Sequence, residues 1–352
     1  MEKNLTDIFI KLASIYSPSG EEKEIGEYIM SYLKDKLDIL EMDKAGNIYG
    51  FKNGTGTPLL FCAHMDTVRP AQAQTPVIKK GVIYSNGKSV LGADDKTAVA
   101  AILAMVDEIQ HKEHRSFEIL ITIREETDAG LRDFKKSKLK SQLCILSDIS
   151  LPIGTIVTAA PFVLGYSVEV EAPGSHVGRI VKDTVHPLTF LKSFMKHVPY
   201  GRLRKDTIVN IAIVKMGESY NSVPQKLHFT GEIRTFSKTQ YDKFVATLKQ
   251  TVPQLDSELG TTSELTLYPY CTGYILKAAD IKETFDIIKL LKIEPHIQQV
   301  FSVGDFNILN EMGITAINIG NGALEVHTTR ERVAVKDLEM LRKIFLEHIV
   351  ST

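Results

Sequence analysis

The sequence predicts an α/β protein: a mixed, mainly parallel sheet flanked by helices, with a ferredoxin-like α+β domain inserted into it. Three observations carry this expectation. Short apolar runs alternate with helical patterns in the first part of the chain. The middle changes to the order β-α-β-β-α-β, and the α/β pattern then returns. The length, 352 residues, also exceeds the roughly 250–300 at which a single core stops growing. The expected division is 1–160 and 271–352 for the α/β domain, with 161–270 as the insertion.

The elements follow in order. Leu5 to Tyr16 is apolar at helical spacing. Ser19-Gly20-Glu21-Glu22 has the form of a capping box for a helix running to about Leu33. Leu37 to Phe51 alternates and is broken at Gly46-Asn47, a hairpin turn signal. Leu59 to Ala63 is a buried strand, Asp94 to Ile109 an Ala-rich helix, and Phe117 to Ile123 and Leu143 to Leu146 further buried strands. In the insertion, Val163 to Glu171, Thr207 to Met216, Leu227 to Thr235 and Leu265 to Tyr270 are strands. Val185 to His197 and Lys238 to Leu255 are its helices. A helix near Asp280 to Leu291, a strand Ala316 to Ile319 and a closing helix Val335 to Ile349 complete the pattern.

Composition bounds the function classes. The chain is 43% hydrophobic and 24% charged, with 42 basic against 43 acidic side chains. That suits a chain with a sizeable core, and the net charge of −1 offers no general attraction for nucleic acid or an anionic membrane. No apolar run reaches the roughly 18 residues of a membrane span. The opening Met1-Glu2-Lys3-Asn4-Leu5 lacks the features of a signal peptide, and three scattered cysteines form no disulfide framework. The expectation is a cytoplasmic protein with no nucleic-acid or membrane partner.

Chemistry concentrates in a few segments at the C-terminal ends of expected strands, where open α/β sheets place ligands. In His64-Met65-Asp66, residues two apart face one way, so an imidazole and a carboxylate can share a site. Gly92-Ala93-Asp94-Asp95-Lys96 opens the Ala-rich helix; it also fits a simple acidic N-terminus. Glu125-Glu126 emerges from a core strand, and two adjacent carboxylates there are poorly explained by packing. Asp148 follows the strand Leu143 to Leu146, and His327 follows the last strand. Together they offer two histidines, two aspartates and one glutamate as ligands, with a spare glutamate as base. Nitrogen and carboxylate donors without thiolates suit zinc, with cobalt or manganese as substitutes. Two such ions sharing one Asp would clamp a water and polarise a scissile carbonyl.

Taken with Ser17-Pro18-Ser19-Gly20-Glu21-Glu22 and His64-Met65-Asp66-Thr67-Val68, these segments resemble the di-zinc metallopeptidases. That family includes peptidase T, carboxypeptidase G, succinyl-diaminopimelate desuccinylase and the aminoacylases. The resemblance spans nearly the whole chain and is nearest to the tripeptidases, through His-Met-Asp-Thr-Val and Leu91-Gly92-Ala93-Asp94-Asp95-Lys96. It implies a zinc-aminopeptidase-like catalytic domain and two Zn2+ per chain, with Co2+ or Mn2+ as possible substitutes. Asp94 would bridge the metals, with His64 and Asp148 on one and Glu126 and His327 on the other. Glu125 would be the general base, Asp66 would orient His64, and a cis peptide would follow Asp94.

The resemblance also implies that the inserted domain is a lid. His176, in Gly174-Ser175-His176-Val177-Gly178, would bind substrate and stabilise the oxyanion. Arg234 would grip a substrate carboxylate, and Asn210 and Asn221-Ser222-Val223-Pro224 match the lid's polar strand and turn. Gly304-Asp305 resembles a late substrate loop. Two departures bear on specificity: Thr127-Asp128-Ala129-Gly130 replaces a glycine-rich run, and Phe306 replaces a small residue. Cys62, two residues before His64, reads as a small buried hydrophobe. The expected function is zinc-dependent hydrolysis of short peptides, as a tripeptide or dipeptide aminopeptidase using a metal-bridged water. The alternative is a carboxypeptidase or N-acyl-amino-acid deacylase. A homodimer through the inserted domain is the expected assembly.

Overall fold

The computed structural model describes residues 4–127, 129–182 and 184–350. The chain falls into two compact units, Met1–Thr158 with Leu276–Thr352, and Ala159–Ile275.

The first unit is built on a mixed sheet. Its strands run in the order Ile39–Met42, Ile48–Lys52, Arg115–Thr122, Thr55–His64, Leu143–Leu146, Thr315–Ile319 and Thr155–Ala160. The four central strands, from Arg115–Thr122 to Thr315–Ile319, are mutually parallel, and the flanking pairs are antiparallel. Parallel strands covered on both faces are apolar without alternation. Accordingly the last six residues of Thr55–His64 are all buried. The helix Ala93–Glu108 is small-residue-rich and buried on nearly every side, as an all-round apolar helix must be. Helices Leu5–Ser14 and Val335–Val350 pack against it. The register His64↔Thr122 and Cys62↔Leu146 brings the ends of three parallel strands level. The segments carrying His64, Glu125-Glu126 and Asp148 all leave the sheet there. Among the described residues, no helix is long and apolar enough to cross a membrane.

Three local expectations are corrected. The capping box does not form: the helix starts at Lys23, and its N-cap Glu22 makes no side-chain cap. Ser19 Oγ instead donates to Asp66 Oδ2 at 2.6 Å, and Glu22 Oε1 accepts from the backbone of Gly20 and Arg124 at 2.8 and 3.0 Å. Hydrogen bonds to ionised acceptors are roughly twice as strong as neutral ones, so the buried carboxylate takes Ser19 from the helix. The hairpin loop is Asp43–Asn47 rather than two residues, because Asp43 Oδ1 accepts from three successive backbone N–H groups, those of Ala45, Gly46 and Asn47. Gly304-Asp305 is not a loop throughout: Asp305 opens a short helix, Asp305–Glu311.

The second unit is a five-stranded antiparallel sheet, ordered Gly201–Arg204, Thr207–Met216, Lys226–Thr235, Phe162–Glu171 and Thr262–Cys271. Without the edge strand Gly201–Arg204, which the sequence reading missed, this is the β-α-β-β-α-β arrangement. Helices Pro187–His197 and Lys238–Leu259 supply its α elements. Strand Lys226–Thr235 alternates exposed or half-buried with buried residues along its whole length, so one face meets the core. That core is aromatic, with Phe194 and Phe229 meeting edge to face at 4.8 Å between ring centres.

Candidate metal centre

Seven polar side chains from five segments of the first unit converge. His64 ends its strand, Asp66 lies two residues on, and Glu125 and Glu126 follow the neighbouring strand. Asp148 follows a third, Asp94 lies at the start of the Ala-rich helix, and His327 is on the loop between the last two strands. Asp94 and Asp95 have non-helical backbone angles, and the peptide joining them is cis, as expected from the resemblance.

The Asp94 carboxylate stands between the two histidines. Its Oδ1 is 3.6 Å from His64 Nε2 and its Oδ2 is 3.4 Å from His327 Nε2. His64 Nε2 lies 3.8 Å from Asp148 Oδ1, and His327 Nε2 lies 2.8 Å from Glu126 Oε1. The last contact lacks hydrogen-bond geometry, since Glu126 Oε1 has no hydrogen-bond partner. Two donor groups result, His64 with Glu125 and Asp148, and Asp94 with Glu126 and His327, each with its ligand atoms within 4.8 Å of one another.

The donor chemistry fits metal ions. His64 Nε2, Asp94 Oδ1, Glu126 Oε1 and Asp148 Oδ2 are all buried without a hydrogen bond. Buried polar atoms are almost always paired, so four orphans aimed at one place call for cations. The electrostatics agree. Burial, with Asp305 and Glu126 close by, pushes Glu125 well above the usual carboxylate range. Burial, with Glu125 and Asp94 adding to it, does the same to Asp148. The Asp94 and Glu126 carboxylates beside it hold His327 up to about 10. His64 is held well above the usual imidazole value because Asp66 and Asp94 outweigh its burial.

The surrounding shell explains the geometry. Asp66 lies 3.3 Å from His64 Nδ1, which directs Nε2 toward the centre. Asp66 also accepts from the backbone N–H of Glu125 and of Glu126, at 3.0 and 3.2 Å. One buried carboxylate therefore sets a histidine and both glutamates. Gly304 must be glycine, because a Cβ there would stand 2.7 Å from both Asp148 Oδ2 and Glu125 Oε1. Phe306 is buried beneath it. Cys62 is fully buried, and burial pushes its thiol well up, so it is an inert core residue.

Sequence reasoning missed two residues of this shell. Asn318 holds the backbone of Asp148 at both ends, accepting from its N–H and donating to its carbonyl, each at 2.9 Å. A lone Asn inside the apolar strand Ala316–Ile319 was the available signal. Glu331 accepts from the backbone N–H of Gly92 and Asp94; nothing in its surroundings of Arg330 and Arg332 announces that. In the departing run after the glutamates, Asp128 lies outside the described residues, and Ala129 is buried with a positive φ of 55°.

In the second unit, Asn210 pairs with Glu232 across the sheet, and Arg234 lies two residues along on the same face. Arg234 Nε donates to Glu232 Oε1 at 2.8 Å. His176 is exposed on a separate two-stranded ladder, opposite Ser222. Its Nδ1 accepts from the Gly178 N–H at 3.1 Å, which leaves Nε2 as a donor. It lines a cavity of about 560 Å³ with Ser175, Glu218, Ser222 and Lys226.

The family described as Peptidase family M20/M25/M40 matches residues 60–351. An uncharacterised Bacillus subtilis protein, YqjE, is 25% identical over 96% of this chain and 95% of its own length. The crystal structure of a tripeptidase from Staphylococcus aureus superposes with a TM-score of 0.94 at 26% identity, over 100% of this chain and 98% of its own. That of the aminopeptidase PepT from Bacillus cereus gives 0.94 at 23% identity, over 100% and 99%.

Proposed function

The chain belongs to peptidase family M20/M25/M40, and from that premise we propose that it is a metal-dependent aminopeptidase of tripeptides or dipeptides. The observation that carries the proposal is the Asp94 carboxylate set between His64 and His327, with one oxygen toward each. Two zinc ions held by His64 with Asp148, by Glu126 with His327, and by Asp94 between them would acidify a water and polarise the scissile carbonyl. Glu125 is the general base: it takes a proton from the attacking water and returns it to the departing amine. A carboxyl raised by burial suits that exchange, since its affinity for the proton lies nearer neutral pH. Asp66 holds His64 in the tautomer that offers Nε2.

His176, Arg234 and Asn210 are assigned to the substrate. The free Nε2 of His176 supports hydrogen bonding to a carbonyl oxygen that gains charge. Arg234 suits a terminal carboxylate because a guanidinium binds it in a fork, and a substrate would have to compete with Glu232 for it. The likeness to the Staphylococcus aureus tripeptidase and the Bacillus cereus aminopeptidase supports the choice of substrate class.

The test is a screen of free tripeptides, free dipeptides, N-blocked dipeptides and N-acyl amino acids, with zinc and with cobalt added. Cleavage of the free peptides from the amino end supports the proposal. Turnover of only the blocked or acylated compounds would replace it with a carboxypeptidase or deacylase.

A homodimer through residues 159–275 belongs to the same proposal. Tyr200, Leu203, Ile213 and Val214 lie exposed at one edge of that unit's sheet and supply apolar surface for it. Light scattering across a dilution series tests it, and a monomer at all concentrations would overturn it. A cytoplasmic setting is supported by three buried, unbridged cysteines.

A further inference from the structure

We propose that Glu331 is a positioning residue of the metal centre, tying the loop that carries His327 to the turn that carries Asp94. The inference rests on the metal reading above. Glu331 is 1% exposed. Its Oε2 accepts from Gly92 N–H at 2.7 Å and its Oε1 from Asp94 N–H at 3.1 Å. Its own carbonyl accepts from Ser85 N–H at 3.2 Å, so the residue is fixed at both its main and side chains.

The turn needs such a partner. The first N–H groups of a helix have no carbonyl of their own helix to bind. Here the backbone is also non-helical at Asp94 and left-handed at Gly92, with φ of 71°. A side chain at Gly92 would meet Thr67 Cγ2 at 2.7 Å, so the turn is packed tightly as well. Buried Lys96, whose Nζ donates to the Ile15 carbonyl at 3.3 Å, supplies positive charge to the Glu331 carboxylate.

The origin of the acceptor matters more than the cap itself. Residues 324 and 332 close the His327 loop through two backbone hydrogen bonds, at 2.9 and 3.0 Å. Glu331 sits at that closure, four residues after His327. Its carboxylate therefore sets the spacing between two ligands that arrive from distant parts of the sequence. The ion bound by Asp94, Glu126 and His327 depends on that spacing. The ion bound by His64 and Asp148 shares Asp94 but takes its other ligands from strand ends that Glu331 does not touch.

The experiment titrates cobalt(II) into the metal-depleted full-length chain, wild type, Glu331→Ala and Glu331→Gln. Calorimetry and the visible absorption of bound cobalt are the readouts, and circular dichroism checks the fold. Wild type is expected to bind two equivalents. Glu331→Ala should keep one near wild-type affinity and lose about 10–100-fold at the other, with an altered absorption for that ion. Glu331→Gln retains one acceptor oxygen and should recover part of the loss. Two ions bound with wild-type affinity and spectrum in the folded variants would overturn the inference, as would equal weakening of both ions. If Glu331→Ala does not fold, Glu331→Gln decides by the same criteria. Failure of the wild type to bind cobalt would overturn the metal reading, and this inference with it.

Discussion

The two sides of the candidate centre are built differently. His64 terminates a buried parallel strand, its side chain is 1% exposed, and Asp66 fixes its second nitrogen. His327 sits on a loop with its side chain 47% exposed. Its φ is 61° and that of Glu325 is 52°, both in the left-handed region that non-glycine residues rarely adopt. The loop is held at its edges, by Glu325 paired with Arg330 and Arg332 and by the backbone closure at residues 324 and 332. One side inherits its geometry from the sheet; the other assembles it from a loop and its anchors. A strand-end ligand set is fixed when the fold forms. A loop-borne set is adjustable, and an ion held there would be the more easily exchanged.

The largest effect expected is on chemistry, at the strand side. Glu125→Gln should lower turnover by about 10²–10⁴-fold while both metal equivalents remain, as steady-state kinetics and emission spectroscopy of bound metal would show. Near-normal turnover would remove Glu125 from the role of base, and the strand side would then be a ligand set alone.

Next comes metal content. His64→Ala leaves buried Asp66 and half-buried Asp94 and Asp148 around a lost partner and should abolish tight binding of both ions. His327→Ala should retain one ion, at the strand side. Equal losses in the two variants, measured by equilibrium dialysis with zinc, would break the proposed asymmetry.

A smaller effect is expected at Asp66. Asp66→Asn keeps the size of the side chain but removes the charge that His64 and both glutamate N–H groups face. Metal affinity should fall by about 10–100-fold, mainly for the ion at His64, which stepwise zinc titration resolves. A loss confined to the His327 side would reverse the assignment of Asp66.

The same contrast governs what could be read from the sequence. The strand side announced itself. His64 and Asp66 have the period-two spacing of an extended chain, and Glu125-Glu126 interrupts a run of buried apolar residues that packing alone would continue. The central sheet was legible for a related reason, since its strands are short, mostly apolar runs. The loop side was not. His327 has no periodic context, and its role came from resemblance alone. Glu331 and Asn318 act on backbone groups more than 150 residues away in sequence, and no local pattern encodes such a contact. Ser19 and Glu22 show the converse error. Their spacing is that of a local cap, but both side chains found distant partners, which tertiary structure supplied and sequence spacing could not reveal.

The smallest predicted effect separates the centre from the rest of the unit when stability is measured against pH. His348 is buried in the last helix, with its Nε2 3.3 Å from Thr284 Oγ1 and its Nδ1 3.7 Å from Glu283 Oε1. Burial holds it below the usual imidazole value, against the pull of Glu283. Its contribution to folding is therefore fully present above about pH 6.5, the ordinary value for an unfolded histidine. As the pH falls below that, the unfolded chain takes up a proton that the folded one resists, and stability declines. His327 has the opposite sign, because its neighbours raise it: in metal-free protein its contribution is complete below about pH 6.5 and fades as the pH rises toward about 10. Acid melting of the metal-free chain should thus be blunted by His348→Gln and left intact by His327→Ala. Thermal denaturation between about pH 7 and 5 in the presence of a chelator measures both. If His327→Ala instead removed the acid dependence, the loop would be carrying a structural charge, and the division between a rigid strand side and an adjustable loop side would fail.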